Sequence, residues 1–217
     1  MSDGILHILS PLSAPWCGWV MVGLFLCAVL SEVFQPGVIM QSPLSLIAQT
    51  ERTYKDSPAN FSGQLLISVF RIGTLSMALC MCFYEGGTFR FGAFAAICGL
   101  IVAFILLKML CNILLDYTFQ FNRRFASSYE HYANIATMSI CVLYPGLLVL
   151  LRIGALSATQ WVLGGTALLF LLLFGYRMAR TYVYSPMALV YVILYIGTME
   201  VLPLALLYYT SSQILSI

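Results

Sequence analysis

From Gly92 to Leu107 the chain reads GAFAAICGLIVAFILL, without one charged side chain. Inside a bilayer there is no water to pair with backbone amides, so a run of this kind has to satisfy them within itself, as a helix. Similar runs recur at about 16–34, 61–83, 92–115, 132–151, 161–178 and 186–209. Each comes close to the roughly 20 residues needed to cross a membrane as an α-helix. Their repetition sets the fold class: an all-α, polytopic transmembrane helical bundle of about six spans with short loops. Of the 217 residues, 61% are hydrophobic and only 8% charged, against about a quarter charged in a soluble domain. Mean hydropathy is +0.95. The ten-residue alternating segments of a transmembrane β-barrel are absent from the sequence. A net charge of +2 without a basic run speaks against nucleic acid as a partner.

The six runs leave little chain for anything else, so residues 1–217 read as one integral membrane domain. The longest connection is 35–60. Within it Ser42-Pro43 is a helix-start pair with apolar residues spaced along one side, which predicts a short interfacial helix over about 43–55. The first twenty residues carry no Lys or Arg ahead of the apolar run. A cleavable signal peptide needs that charge, so the run reads as a retained first span. The connecting segments on one side hold Arg52, Lys55, Arg123, Arg124, Arg177 and Arg180, and those on the other only Arg90 and Arg152. The positive-inside rule then places the first set in the cytoplasm and both termini outside. The seven cysteines all fall within or beside apolar runs and read as small core hydrophobes. None has the spacing of a metal or disulfide framework, and neither a metal site nor a cofactor is expected.

Ionisable residues inside spans cost about 2.5–3.5 kcal/mol each at the bilayer centre, and they usually face the bundle interior. Four stand out here: Glu32, Arg71, Lys108 and Glu200. Counting rise along each span puts Arg71 and Glu200 near the midplane and Glu32 and Lys108 together in the cytoplasmic half. The expected pairs are therefore Arg71–Glu200 and Glu32–Lys108. Gln64, Ser68 and Arg71 share a face of the second span, and Lys108, Asn112 and Asp116 form a stripe down the third. Gly197 lies three residues before Glu200 and is expected to admit a close neighbour. Pro203 frees the carbonyl of Met199. Such pairs can fix which helix lies against which, form an ion relay or polar cavity, or engage a partner's helix. The sequence leaves these open.

A second polar group, Asp116, Arg123, Arg124, Glu130 and His131, falls in what reads as a cytoplasmic loop over 116–131. An acid, a histidine and paired arginines can act on a phosphate-bearing lipid. The same residues are also those of an ordinary positive-inside loop. No nucleophile elbow, zincin motif or phosphate loop is present in the sequence.

The last span carries the pattern Tyr195-x-x-Thr198-x-Glu200-x-x-Pro203-Leu204. It resembles the closing span of an uncharacterised family of multi-pass inner-membrane proteins of Bacteroidota, domain of unknown function family 4271. The resemblance implies a bacterial inner-membrane, cell-envelope location and no established activity. The expected role is a non-enzymatic envelope component, a membrane subunit that meets the lipid bilayer and a membrane-protein partner or further copies of itself. The alternatives are a small transporter or channel with a midplane Arg–Glu core and, more weakly, a lipid-processing enzyme.

Overall fold

The computed structural model describes residues 15–36, 39, 61–83, 91–119, 124–153, 157–182 and 197–215, and no strand occurs among them. The helices are α1 (Pro15–Phe34), α2 (Phe61–Cys82), α3 (Phe91–Phe119), α4 (Arg124–Ile153), α5 (Ser157–Tyr182) and α6 (Leu202–Leu215). A single π turn, Gly197–Val201, leads into α6. Five stretches are long and apolar enough to cross a membrane: Trp16–Phe34, Phe61–Cys82, Phe91–Cys111, Tyr132–Ile153 and Ala158–Arg177. They coincide with the first five expected spans. The first half of the sixth, and the interfacial helix expected over 43–55, lie outside the described residues. Pro36 follows α1, where a helix seldom continues.

The expected loop over 116–131 is corrected. α3 runs on to Phe119 and α4 already starts at Arg124, so only 120–123 separate them. Neither Gly nor Pro interrupts residues 111–131, and nothing in the sequence stops either helix. At 29 and 30 residues these helices are each about 43–45 Å long, well beyond a hydrocarbon core of about 30 Å. The two helices meet across the short connection 120–123 and form a helical tip at that end of the bundle.

α1 and α2 run antiparallel along one continuous seam. Cys17, Met21, Leu24, Ala28 and Ser31 are buried on α1 with Gln35 just past its end, and Gly63, Ile67, Phe70, Thr74, Met77 and Met81 on α2. Both sets step by alternating fours and threes, which is the seven-residue spacing of helices that pack side by side at a small crossing angle. Gly63 meets Gln35 and Gly73 meets Leu24, which sets the register. Small residues matter in such a seam because lipid is as apolar as leucine. Close van der Waals packing has to hold the helices together where hydrophobicity does not.

α2 is the hub, in contact with α1, α3, α4, α5 and α6. Of its membrane window 61% is buried, against 17% for α3 and for α5. The burial is uneven along its length. From Ser76 to Cys82 every residue is buried, whereas Phe61, Ser62, Gln64, Leu65, Ser68 and Val69 are all exposed. The remaining helices explain the contrast. Around the second half of α2, Trp16 meets Phe91 and Phe94, Phe83 meets Tyr208, and Gln160 donates to the Cys82 carbonyl at 3.3 Å. Around the first half α4 and α5 turn to each other. Ile135, Phe170 and Phe174 form a separate apolar cluster with Tyr132, whose ring stands edge-on to both phenylalanines. Among the described residues, the α1–α2 and α4–α5 hairpins are thus joined at one end of the bundle and fork toward the other.

Candidate functional site

The charged side chains Arg71 and Glu32 lie toward the forked half. Tyr144 on α4 fixes its height. Its hydroxyl donates to the Met21 carbonyl of α1 at 2.8 Å, and its ring packs on Phe70 of α2 at 5.5 Å between centroids. Three residues before Tyr144, and so about one turn nearer the open end, is Cys141. Arg71, next to Phe70, and Glu32, on the last turn of α1, both lie within electrostatic reach of the Cys141 thiol. Pro145 stands inside α4 and lacks the N–H that would bond the Cys141 carbonyl. A guanidinium, a carboxylate, a thiol and a released carbonyl therefore come to one level of the bundle. Glu32 is also held from its own end of the chain: Oε2 accepts the Ile39 N–H at 3.0 Å, just after α1 closes with Gln35 N–H on Ser31 O at 2.9 Å.

Glu32 is the described acid that shares with Arg71 an electrostatic reach to Cys141. The Glu200 side chain lies outside the described residues, so the expected Arg71–Glu200 pair does too. Lys108 rests over the Tyr132 ring at 3.7 Å from its centroid. This cation–π contact seats it on the aromatic cluster between α4 and α5. Depth along the spans gave the expected Glu32–Lys108 pair. It did not point to the Tyr132 ring beneath Lys108.

Gln64, expected in the polar core, is exposed on the open half of α2. Ser68 beside it donates to the Gln64 carbonyl at 2.8 Å. Gly197 is corrected as well. It is exposed, and a Cβ built there meets nothing within 4 Å; the close approaches fall at Gly63 and Gly73 instead. The side chains of Asn112, Asp116, Arg124, Glu130 and His131, and Arg123 altogether, lie outside the described residues. Asn112 and Asp116 lie on the last turns of α3, and Glu130 and His131 on the early turns of α4.

Cys141 and Tyr144 are the residues that reading the sequence missed. Pro145 within an apolar run was the available signal, since it marks the carbonyl four residues earlier as one needing another partner. Of the seven cysteines, Cys17, Cys80 and Cys82 are buried and the other four half-buried, all as free thiols. Among the described residues no cluster of His, Cys, Asp and Glu has the makings of a metal site.

A sequence profile of one family, described as Domain of unknown function (DUF4271), matches residues 18–210, nearly the whole chain. The chain belongs to this family. No curated protein and no solved structure is similar to it. The DUF4271 match takes in all five membrane-length helices and the Glu200 pattern of the last span. The family expected from that pattern is therefore the family found.

Proposed function

We propose that this DUF4271 chain is a non-enzymatic component of a bacterial inner membrane, of the Bacteroidota cell envelope, and acts there as the membrane-embedded subunit of a larger assembly. One observation carries the reading. Among the described residues, the helices wrap α2 and leave α3 and α5 only 17% buried over membrane-length windows. Trp161, Leu168, Leu172 and Tyr176 of α5, and Leu106, Leu107, Leu110 and Ile113 of α3, all point outward. Lipid can cover such faces, and so can the helices of a partner or of another copy. In this reading the bulk of the protein is framework and outward-facing helix. Extraction from native membranes in a mild detergent is expected to bring down a stoichiometric partner or a homo-oligomer. A chain that purifies as a stable monomer would count against the proposal.

Orientation follows from the lysine and arginine asymmetry, which puts the connection 120–123 in the cytoplasm and both termini in the periplasm. A C-terminal alkaline phosphatase fusion should be active and a C-terminal green fluorescent protein fusion dark; the opposite pair of results inverts the topology.

A second reading, a small transporter or channel with a midplane Arg71–Glu200 core, has its own support in the reach of both Arg71 and Glu32 to Cys141, four residues before Pro145 of α4. Ionisable groups at such depth commonly mark transport paths. Under this reading Arg71→Gln abolishes ion or solute flux in proteoliposomes, and unchanged flux removes Arg71 from any mechanism.

A further inference from the structure

α4 and α5 pack in two different places along their length. Toward the enclosed end, Tyr144, Leu147 and Leu151 of α4 belong to the main core, with Val162 and Leu163 of α5 against it. Toward the forked end, Tyr132 and Ile135 of α4 close on Phe170 and Phe174 of α5 in a cluster of their own. There the two phenylalanine rings lie nearly parallel, 6.0 Å apart between centroids. Each helix therefore passes from one packing unit to another within a few turns.

Both helices are weak where they make that passage. On α4, Pro145 cannot donate to the Cys141 carbonyl, so the turn 141–145 lacks a rung of its ladder. On α5, Gly164 and Gly165 stand together inside the helix, and a Cβ built at either meets nothing within 4 Å. Such a pair leaves the backbone its full freedom. Thr166 beside it donates back to the Val162 carbonyl, an arrangement that bends helices. Sharp kinks fall at proline and at runs of small residues of this kind. The two weak places also lie side by side. A Cβ at Gly146 would stand 3.3 Å from the Val162 side chain, so those two residues share a level. From it, 141–145 and 164–166 both extend toward the forked end by no more than about one and a half turns.

Ties to α1 and α2 fall on the enclosed side of this level. Tyr144 binds the Met21 carbonyl of α1 and packs on Phe70 of α2, and Gln160 binds the Cys82 carbonyl. On the forked side, the buried hydroxyls of Thr137 and Ser139 donate within α4 itself, to the Ala133 and Ile135 carbonyls. Lys108, seated on the Tyr132 ring, couples α3 to the same unit.

We propose that Cys141–Pro145 and Gly164–Thr166 form one hinge, about which the forked-end halves of α4 and α5 swing together against α1 and α2. The cluster of Tyr132, Ile135, Phe170 and Phe174 holds the two halves as a single lever. A swing of about 20°, the onset of a sharp kink, carries Tyr176, about 16 Å beyond Gly165 along the helix, through about 6 Å. The hinge is built from this chain's own helices and does not depend on the subunit reading, so its failure would leave the co-purification result untouched.

Distances between paired spin labels, measured by double electron–electron resonance, test the hinge. The full chain, otherwise free of cysteine, is placed in phosphatidylcholine nanodiscs. Phe61→Cys with Tyr176→Cys spans the hinge, Asn134→Cys with Tyr176→Cys lies within the lever, and Trp19→Cys with Trp161→Cys lies within the enclosed end. The first pair is expected to give a distance distribution about 6 Å wider than the other two. Gly164→Ala with Gly165→Ala stiffens α5 without a clash, and Pro145→Ala restores the missing rung of α4. Either change is expected to narrow the first distribution to the width of the enclosed-end pair. Equal widths in all three pairs, or a first distribution that stays broad in both stiffened chains, overturn the proposal. A second pair as broad as the first overturns it as well, because the two halves then do not move as one.

Discussion

At the scale of single residues, the two seam glycines and Tyr144 define how closely and how high the helices meet. A methyl at Gly63 would lie 2.9 Å from the Gln35 Cβ, an atom fixed to the α1 backbone. Gly63→Ala is therefore expected to destabilise the protein by about 1–3 kcal/mol, the usual range for overpacking. A melt in detergent measures it. At Gly73 the obstacle is the Leu24 side chain, which can be removed. Gly73→Ala should lower the melting temperature less once Leu24→Ala is added than it does alone, and strictly additive losses would show that the two do not touch. Gly197→Ala, with open space around it, should leave stability within about 0.5 kcal/mol. Tyr144→Phe keeps the ring against Phe70 and loses only the bond to Met21. Its cost should be about 0.6 kcal/mol, typical of side-chain hydrogen bonds between membrane helices. A much larger loss would mean that the hydroxyl supports more than α1.

At the scale of elements, the α1–α2 seam makes the most exacting prediction. Its register sets Gln35 opposite Gly63 and Leu24 near Gly73, which places Ser31 opposite Ile67. With the native cysteines removed, Ser31→Cys and Ile67→Cys should oxidise to an intramolecular disulfide, whereas Ser31→Cys and Met77→Cys should not. A bridge in the second pair alone would refute the register, since cysteines can be joined only when their Cα atoms lie within about 7 Å. The helices themselves were legible in the sequence because length and hydropathy suffice to find a membrane helix. The seam was not. Periodicity is read from contrast between apolar and polar residues, and in α1 the buried Met21 and Leu24 differ little from the exposed Val22, Phe25 and Leu26. Burial in a membrane follows residue size and shape more than polarity, so the signal lay in Gly63, Gly73, Ala28 and Ser31. The charged residues were legible as a set. Depth along a span is a one-dimensional measure, and it could not show Lys108 seated over the Tyr132 ring.

At the scale of the whole molecule, the fork gives the bundle two unlike ends. The enclosed end is rimmed by outward Trp19 and Trp161, amphipathic rings of the kind that sit at a membrane–water boundary. The forked end carries Phe61 and Tyr176 outward and, beyond them, the helical tip. Asn122→Cys in an otherwise cysteine-free chain should accept an impermeant thiol reagent from the side opposite the Trp19 and Trp161 rim. Labelling from the same side as that rim would mean that the α3–α4 hairpin does not project as its length requires. Together with the fusion reporters, this experiment fixes which compartment the forked end faces.

The π turn at Gly197–Val201 bears on how the last span is to be mapped by mutation. A π turn holds one residue more than an α-helical turn, so an inserted residue's worth of rotation, about 100°, separates the positions before the turn from those after it. A helical wheel drawn straight through Gly197–Leu215 consequently sets the residues of the turn on the wrong face relative to α6. Alanine or cysteine scans of this stretch should be plotted with 197–201 apart from α6. Tolerance patterns that look scattered on a single wheel are expected to resolve into two stripes, offset from each other by that angle.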